Sequence, residues 1–397
     1  MKTAIVLGGG GSKGAYHIGA WRALRELGIE YHIITGTSIG ALNGVLMVQD
    51  DYDKALRLWR EIDISQIAQG GLNLRMDMGY YVSNSDKLLP FLKSYATHKG
   101  MDIAPLRGVI QSACDERFFS SKIEYGLVSV RLPSFAPVLK RKSELDSSNL
   151  ASWVLASASC FPIFPVCEIE GESYIDGGYY DNLPIHLAFE LGAERVIAIA
   201  LNPEPHYCST HPLVKTIQPI SELGGMMDFN QAEIAHNMEL GYLDTMRGFG
   251  RLWGRAYAFT PNKERLLQYA RRLGVELGKI LRRELQESEP KPLQKTLHKL
   301  TSSEILSLSP LSDRLLALLC APCALSDSFG AGESERQLAA MFLNLLESQL
   351  SPHPRDRIYT LDEALSLARA NLAHPPHPID KSDSAILSTL FSCCITD

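Results

Sequence analysis

No apolar stretch in the chain approaches the roughly 20 residues needed to cross a bilayer, so the sequence predicts no membrane-spanning helix. The apolar run at the start, Ala4 to Leu7, stops at Gly8 before the apolar region of a signal peptide has formed. Export is therefore not expected. An excess of positive charge is also missing: 39 basic residues against 45 acidic ones leave a net charge of -6. That balance gives no overall attraction to nucleic acid, and any membrane affinity has to be local. Cysteine is too sparse for a disulfide scaffold, with eight residues scattered through 397, which suits a reducing, cytoplasmic compartment. Cys320 and Cys323 form a lone C-x-x-C with no second pair, and buried thiols are the simpler account than zinc or redox chemistry. No ligand set for calcium or zinc stands out, so neither a metal nor another cofactor is expected. Internal repeats are absent as well.

What is present is a chain long enough, and at 45% hydrophobic apolar enough, to bury a large core. Strand-like and helix-like patterns alternate at Thr3 to Leu7, Ala15 to Leu27, Ile33 to Thr35 and Ala41 to Val48. This βαβα order predicts an α/β fold with a parallel sheet. Further strands are expected at Glu124 to Arg131, Pro137 to Lys140 and Arg195 to Leu201, and helices at Lys87 to Lys93 and Ala151 to Ser159. After Pro203 a stretch rich in proline and histidine reads as a connection, with one more strand at Arg255 to Phe259. Beyond Pro261 the pattern turns helical, with breaks near Glu289-Pro290, Ser309-Pro310 and the PPHP at 375 to 378. The expected organisation is a catalytic domain over 1–205, a connecting segment over 206–260 and a helical region over 261–397.

Three glycine turns carry the chemistry. The first follows the opening strand: Gly9, Gly11 and Gly14 spell G-x-G-x-x-G. Such a turn at a helix N-terminus holds a nucleotide phosphate or, equally, a transient oxyanion, because exposed N–H groups favour any negative charge placed there. A dinucleotide site also needs an acid at the end of the second strand. The sequence offers Thr35-Gly36-Thr37-Ser38 there instead, and a P-loop is excluded because Gly14 follows Lys13. The second turn, Gly36-Thr37-Ser38-Ile39-Gly40, is G-x-S-x-G between strand and helix, the setting of a nucleophile elbow; a serine that merely caps the helix is the plainer alternative. Consecutive βα turns of a parallel sheet open on one edge, so the first turn and Ser38 can share a crevice. The third turn, Asp176-Gly177-Gly178, delivers a carboxylate after an apolar segment, and an ordinary Asx turn is its plainer reading.

Taken in order, these motifs resemble the three signatures of patatin-like phospholipases. The segments Ala156-Ser157-Ala158-Ser159-Cys160-Phe161-Pro162 and Asp181-Asn182-Leu183-Pro184 are similar to those that flank the family's aspartate, and the likeness covers roughly residues 3 to 203. The resemblance implies a three-layer α/β/α domain with a mostly parallel sheet. It implies a Ser38–Asp176 dyad, an oxyanion hole from the amides of Gly9, Gly10 and Gly11, and an acyl-enzyme route that cleaves phospholipid or lysophospholipid esters without a metal. Lys13 stands where the family usually carries arginine. A lipid acyltransferase shares the same dyad, and a binding module would use the glycine turns only to hold an anion. Histidine is the competing base, with His186 and His206 as the formal candidates, while Asp181 reads as a brace for the following loop.

The stretch Arg265 to Leu285 is a basic amphipathic helix. It can lie on anionic lipid, as a peripheral membrane contact, or pack on the catalytic domain, which Gly274 and Gly278 favour. Cys394-Ile395-Thr396-Asp397 has the outline of a prenylation box, which Thr396 and Asp397 fit badly.

Overall fold

The computed structural model describes residues 1–68, 101–203, 211–288, 332–373 and 383–395, together with Cys323, Leu325 and Phe329. The helix expected at Lys87 to Lys93, His206, Cys320 and the proline-marked breaks after residue 288 lie outside the described residues. The chain forms two compact units, Met1–Thr245 and Met246–Asp397, so the division falls inside the stretch 206–260 read from sequence as a connection.

The first unit is built on one mixed sheet. Its strands are β1 (Thr3–Leu7), β2 (Ile33–Thr37), β3 (Glu124–Leu132), β4 (Ala136–Arg141), β5 (Cys167–Ile169), β6 (Glu172–Asp176), β7 (Arg195–Ile199) and β8 (Val214–Ile217). They run in the order β5-β6-β3-β2-β1-β7-β8, with β4 paired to β3. The pairs β1/β2, β1/β7, β2/β3 and β7/β8 are parallel, while β3/β4, β3/β6 and β5/β6 are antiparallel. The continuous apolar runs of β1 and β7 follow from this: both strands lie inside the sheet and are covered on both faces. Helix α2 (Ile39–Val48) packs on one face, where Gly44 lies over Ile34, Tyr125 and Leu7. On the other face, Ala4 and Val6 of β1 pack with Ile185 and Ala188 of a short helix. The sheet is thus sandwiched between helical layers.

Helix α1 (Ala15–Glu26) follows the first glycine turn, and α3 (Tyr52–Glu61) begins with Asp51 as its N-cap, accepting from the Lys54 N–H at 3.1 Å. Next along the chain are α4 (Ala104–Ala113), α5 (Leu150–Ser157), α6 (Ile185–Glu190), which is the short helix just described, and α7 (Gln231–Gly248). A Cβ on Gly19 of α1 would lie 1.7 Å from the Met238 carbonyl oxygen of α7, and one on Gly241 would lie 2.0 Å from the Tyr16 carbonyl oxygen. The two helices therefore cross backbone to backbone at those glycines.

The second unit is mainly helical, as expected. Its two short strands, β9 (Ala258–Phe259) and β10 (Ile358–Tyr359), pair in parallel with each other, so the strand anticipated at Arg255 to Phe259 shrinks to two residues in a separate sheet. Helices α8 (Lys263–Ser288), α9 (Glu333–Ser348), α10 (Leu361–Ala373) and α11 (Asp383–Ile395) surround a core in which Tyr269 stacks on Phe342 at 5.1 Å. The basic helix α8 is a packed element of this unit. Leu266, Ala270, Leu273 and Leu277 are buried, and Gly274 abuts Leu338. Arg265 and Arg271 pair with Asp362 and Glu335. Cys394 is buried in the same core, which leaves its thiol inaccessible to a lipid-attaching enzyme.

Candidate active site

The register of β3 brings the second and third glycine turns together. Thr37, the last residue of β2, pairs with Val128, and the next residue along, Ser129, pairs with Asp176 at the end of β6. Because β4 occupies the opposite edge of β3 over the same residues, β2 and β6 meet end to end on one edge. Ser38 and Asp176, far apart in sequence, thereby become neighbours, close enough for the Ser38 side chain to favour the ionised form of the Asp176 carboxyl.

Ser38 sits at φ 57° and ψ −125° between β2 and α2. This left-handed conformation is uncommon for a side-chain-bearing residue and matches the sharp strand-to-helix turn that a nucleophile elbow requires. The flanking glycines are needed for space: a Cβ on Gly36 would lie 2.4 Å from the Gly40 carbonyl oxygen, and one on Gly40 2.3 Å from that of Leu7. The Ser38 N–H donates to the Ser157 Oγ at 2.9 Å. Asp176 is 5% exposed. Burial pushes its carboxyl up to about 6, against the downward pull of the neighbouring Ser38 side chain and of the Gly178 N–H, which donates to it at 2.7 Å. A carboxylate so desolvated is a far better base near neutral pH than one in water. The Asp176 N–H in turn donates to the Ser159 carbonyl at 2.9 Å.

The first glycine turn lies across from this pair, and its three amides are not equivalent. The Gly9 N–H donates to the Asn182 carbonyl at 3.1 Å, and the Asn182 Nδ2 donates back to the Gly9 carbonyl at 3.2 Å. Gly9 is thus clamped, and its amide is spent, contrary to the expectation that all three glycines face an oxyanion. Among the described residues, the Gly10 and Gly11 amides meet no acceptor. Gly11 has a φ of 60°, and a Cβ there would lie 2.2 Å from the Met226 carbonyl oxygen, so glycine is required. Gly14 packs on Ile39 and Trp59, while Asn43 of α2 donates to its carbonyl at 3.0 Å.

A cleft of about 280 Å³ opens over these groups. Ser38, Asp176, Gly10 and Gly11 share its lining with Lys13, whose Nζ reaches the Asn202 Oδ1 at 3.4 Å. Its walls are apolar, with Leu42, Leu106, Ile110, Phe164 and Phe229 among them. No histidine lines the cleft among the described residues. His186 is exposed on α6, and the buried His17 beneath the glycine turn bonds Asn43 at 3.2 Å and is held neutral down to about pH 3 by burial. Asp181 braces its loop as expected: its Oδ1 accepts the Leu183 N–H at 3.1 Å and its carbonyl accepts the Thr37 hydroxyl at 2.8 Å. The sequence reading gave Asn182 and Ser157 no task, since their partners lie on distant elements and no local spacing marks them. Among the described residues, no group of His, Cys, Asp and Glu side chains is arranged to hold a metal ion.

A strand-to-helix serine, a buried aspartate and a glycine-rich amide turn share one apolar cleft, an arrangement that suits serine ester hydrolysis. Residues 5–189, just under half of the chain, match the family model for patatin-like phospholipases. The chain is 28% identical over 274 residues to the lysophospholipase NTE1 of Coccidioides immitis, across 68% of this chain and 14% of that protein. To the patatin-like phospholipase domain-containing protein 6 of Mus musculus it is 28% identical over 197 residues, across 49% of this chain and 13% of that protein. The chain therefore spans only a small part of these relatives' length. Among solved structures, VipD from Legionella pneumophila aligns with a TM-score of 0.41 at 14% identity, over 99% of this chain and 90% of that one.

Proposed function

We propose that this chain is a lipid acyl hydrolase of the phospholipase A or lysophospholipase type, working through the Ser38–Asp176 dyad. The observation that carries the reading is the buried Asp176 carboxyl brought beside Ser38 by the strand register, both lining one apolar cleft. The Ser38 Oγ attacks the ester carbonyl carbon as its proton passes to Asp176, and the resulting oxyanion is received by the Gly10 and Gly11 amides. Collapse breaks the ester C–O bond, and the departing alcohol takes the proton from Asp176. Water then attacks the acyl-serine, again giving its proton to Asp176. The fatty acid leaves, and the proton returns to Ser38. The dipole of α2, whose N-terminus lies at Ser38, favours the negative charge that develops there.

The apolar walls accept the acyl chain, which makes phospholipid or lysophospholipid the substrate class. Peripheral membrane contact belongs to the same reading: Phe161, Tyr179, Tyr180 and Met226 are exposed apolar side chains, and Tyr179 and Met226 also line the cleft. Aromatic groups of this kind sit well at a lipid–water boundary. The described cysteines are free thiols, which supports a reducing, cytoplasmic compartment. No helix among the described residues is long and apolar enough to cross a membrane.

Mass spectrometry of products from a panel of phospholipids and lysophospholipids, with and without an acceptor alcohol, tests the proposal. Free fatty acid plus the deacylated glycerophospho-product supports it. Acyl transfer to the acceptor in place of hydrolysis makes the chain an acyltransferase, and no turnover of any ester leaves a binding module.

A further inference from the structure

We infer that the C-terminal end of α5 is a positioning device for the reacting pair, with the Ser157 hydroxyl as its acting group. The inference rests on the reading of Ser38 and Asp176 as the catalytic dyad and adds to it the part that holds both members in place. Ser157 is fully buried, and its Oγ accepts the Ser38 N–H at 2.9 Å. Two residues later, the Ser159 carbonyl accepts the Asp176 N–H at 2.9 Å. One helix end therefore grips the main chain of nucleophile and base together, and the intervening Ala158 and the following Cys160 line the cleft.

The elbow needs such a hold. At φ 57° and ψ −125° Ser38 occupies a conformation that its own residue type does not favour, and such conformations persist where the surroundings over-determine them. The Ser38 N–H precedes α2 and finds no backbone acceptor. The hydrogen bond to Ser157 satisfies it and thereby fixes the peptide that aims the Ser38 side chain at Asp176. It also removes the Ser38 amide from competition for the oxyanion, leaving that task to Gly10 and Gly11. Alanine at 157 would fill almost the same space but offer no acceptor. Threonine would keep the acceptor.

The test compares Ser157→Ala and Ser157→Thr with Thr245→Val in the full chain. Thr245 is a control: its buried hydroxyl donates to the Gly241 carbonyl at 2.8 Å within α7 and lies outside the cleft. Displacing a nucleophile by about 1 Å typically costs about 100-fold in rate. Ser157→Ala is accordingly expected to lower kcat on a soluble ester by about 10- to 100-fold. KM should hold, fluorophosphonate labelling of Ser38 should slow in parallel, and the acid limb of the pH profile should move upward as the Ser38 side chain draws away from Asp176. Ser157→Thr should recover most of the rate, and Thr245→Val should lower the melting temperature without changing kcat. The inference is overturned if folded Ser157→Ala keeps the wild-type kcat, if Ser157→Thr loses as much rate as alanine, or if Thr245→Val loses kcat in the same proportion to its melting temperature. Should Ser157→Ala fail to fold, the threonine variant decides alone. Failure of the wild type to label at Ser38 would instead strike the dyad reading.

Discussion

Replacing Asp176 by asparagine should abolish turnover and, at the same pH, raise the melting temperature. The carboxyl is raised from the ordinary 3.8 to about 6 by burial, so the folded chain holds that proton more tightly than the unfolded chain does. The sign follows: the contribution of Asp176 to stability is most favourable below pH 3.8 and is lost as pH rises through about 6. At pH 8 the buried charge therefore costs on the order of 3 kcal/mol, since each pH unit of separation is worth about 1.4 kcal/mol. Asparagine keeps an acceptor for the Gly178 N–H and carries no charge. For a unit of this size each kcal/mol moves the melting temperature by about 2–4 °C, which puts the ceiling of the gain near 10 °C. As a base asparagine is useless, and loss of a general base typically costs about 10²–10⁴-fold in rate. Calorimetry of wild type and variant at pH 8 and pH 4.5, beside turnover of a soluble p-nitrophenyl ester, reads both effects. The stability gain should shrink from about 3 kcal/mol at pH 8 to about 1 kcal/mol at pH 4.5, where Asp176 is protonated in the folded chain but still mostly ionised in the unfolded one. An equal difference in melting temperature at both pH values, or a variant with substantial turnover, would refute the reasoning.

Other outcomes follow from the same geometry. Gly11→Ala should lower kcat at least 100-fold, because its methyl would run into the Met226 carbonyl and displace an oxyanion donor worth about 3 kcal/mol; steady-state kinetics on a soluble ester would show it. For the wild type, kcat/KM should fall as pH drops through about 6, as Asp176 takes up its proton, and the limb should survive in His186→Ala. A profile whose limb vanishes in that variant would move the base to histidine. EDTA should leave the initial rate on a monomeric ester unchanged, and a rate restored only by added metal would contradict the mechanism.

The parts of this site legible in the sequence were those set by local geometry. Each glycine turn announces a strand ending and a tight approach within a few residues, so Gly9 to Gly14, Gly36 to Gly40 and Asp176 to Gly178 stand out as patterns. The β1-α1-β2-α2 unit follows from alternating periodicity. What was not legible depends on partners brought from far along the chain. The fate of the Gly9 amide is decided by Asn182, and the aim of Ser38 by Ser157. The antiparallel insertion of β6 beside β3, which carries Asp176 to the end of β2, leaves no periodic trace. The partners of α8's basic face were illegible for a related reason: Arg265 and Arg271 meet acidic residues on α10 and α9, and only the folded second unit supplies those partners.

The central claim is that Ser38 is an activated nucleophile, and peptide mapping after treatment with a fluorophosphonate tests it most directly. The predicted result is a single covalent adduct on the peptide containing Ser38, absent from Ser38→Ala and strongly slowed in Asp176→Asn. An adduct on any other residue, or a folded wild-type chain that takes no label, would contradict it.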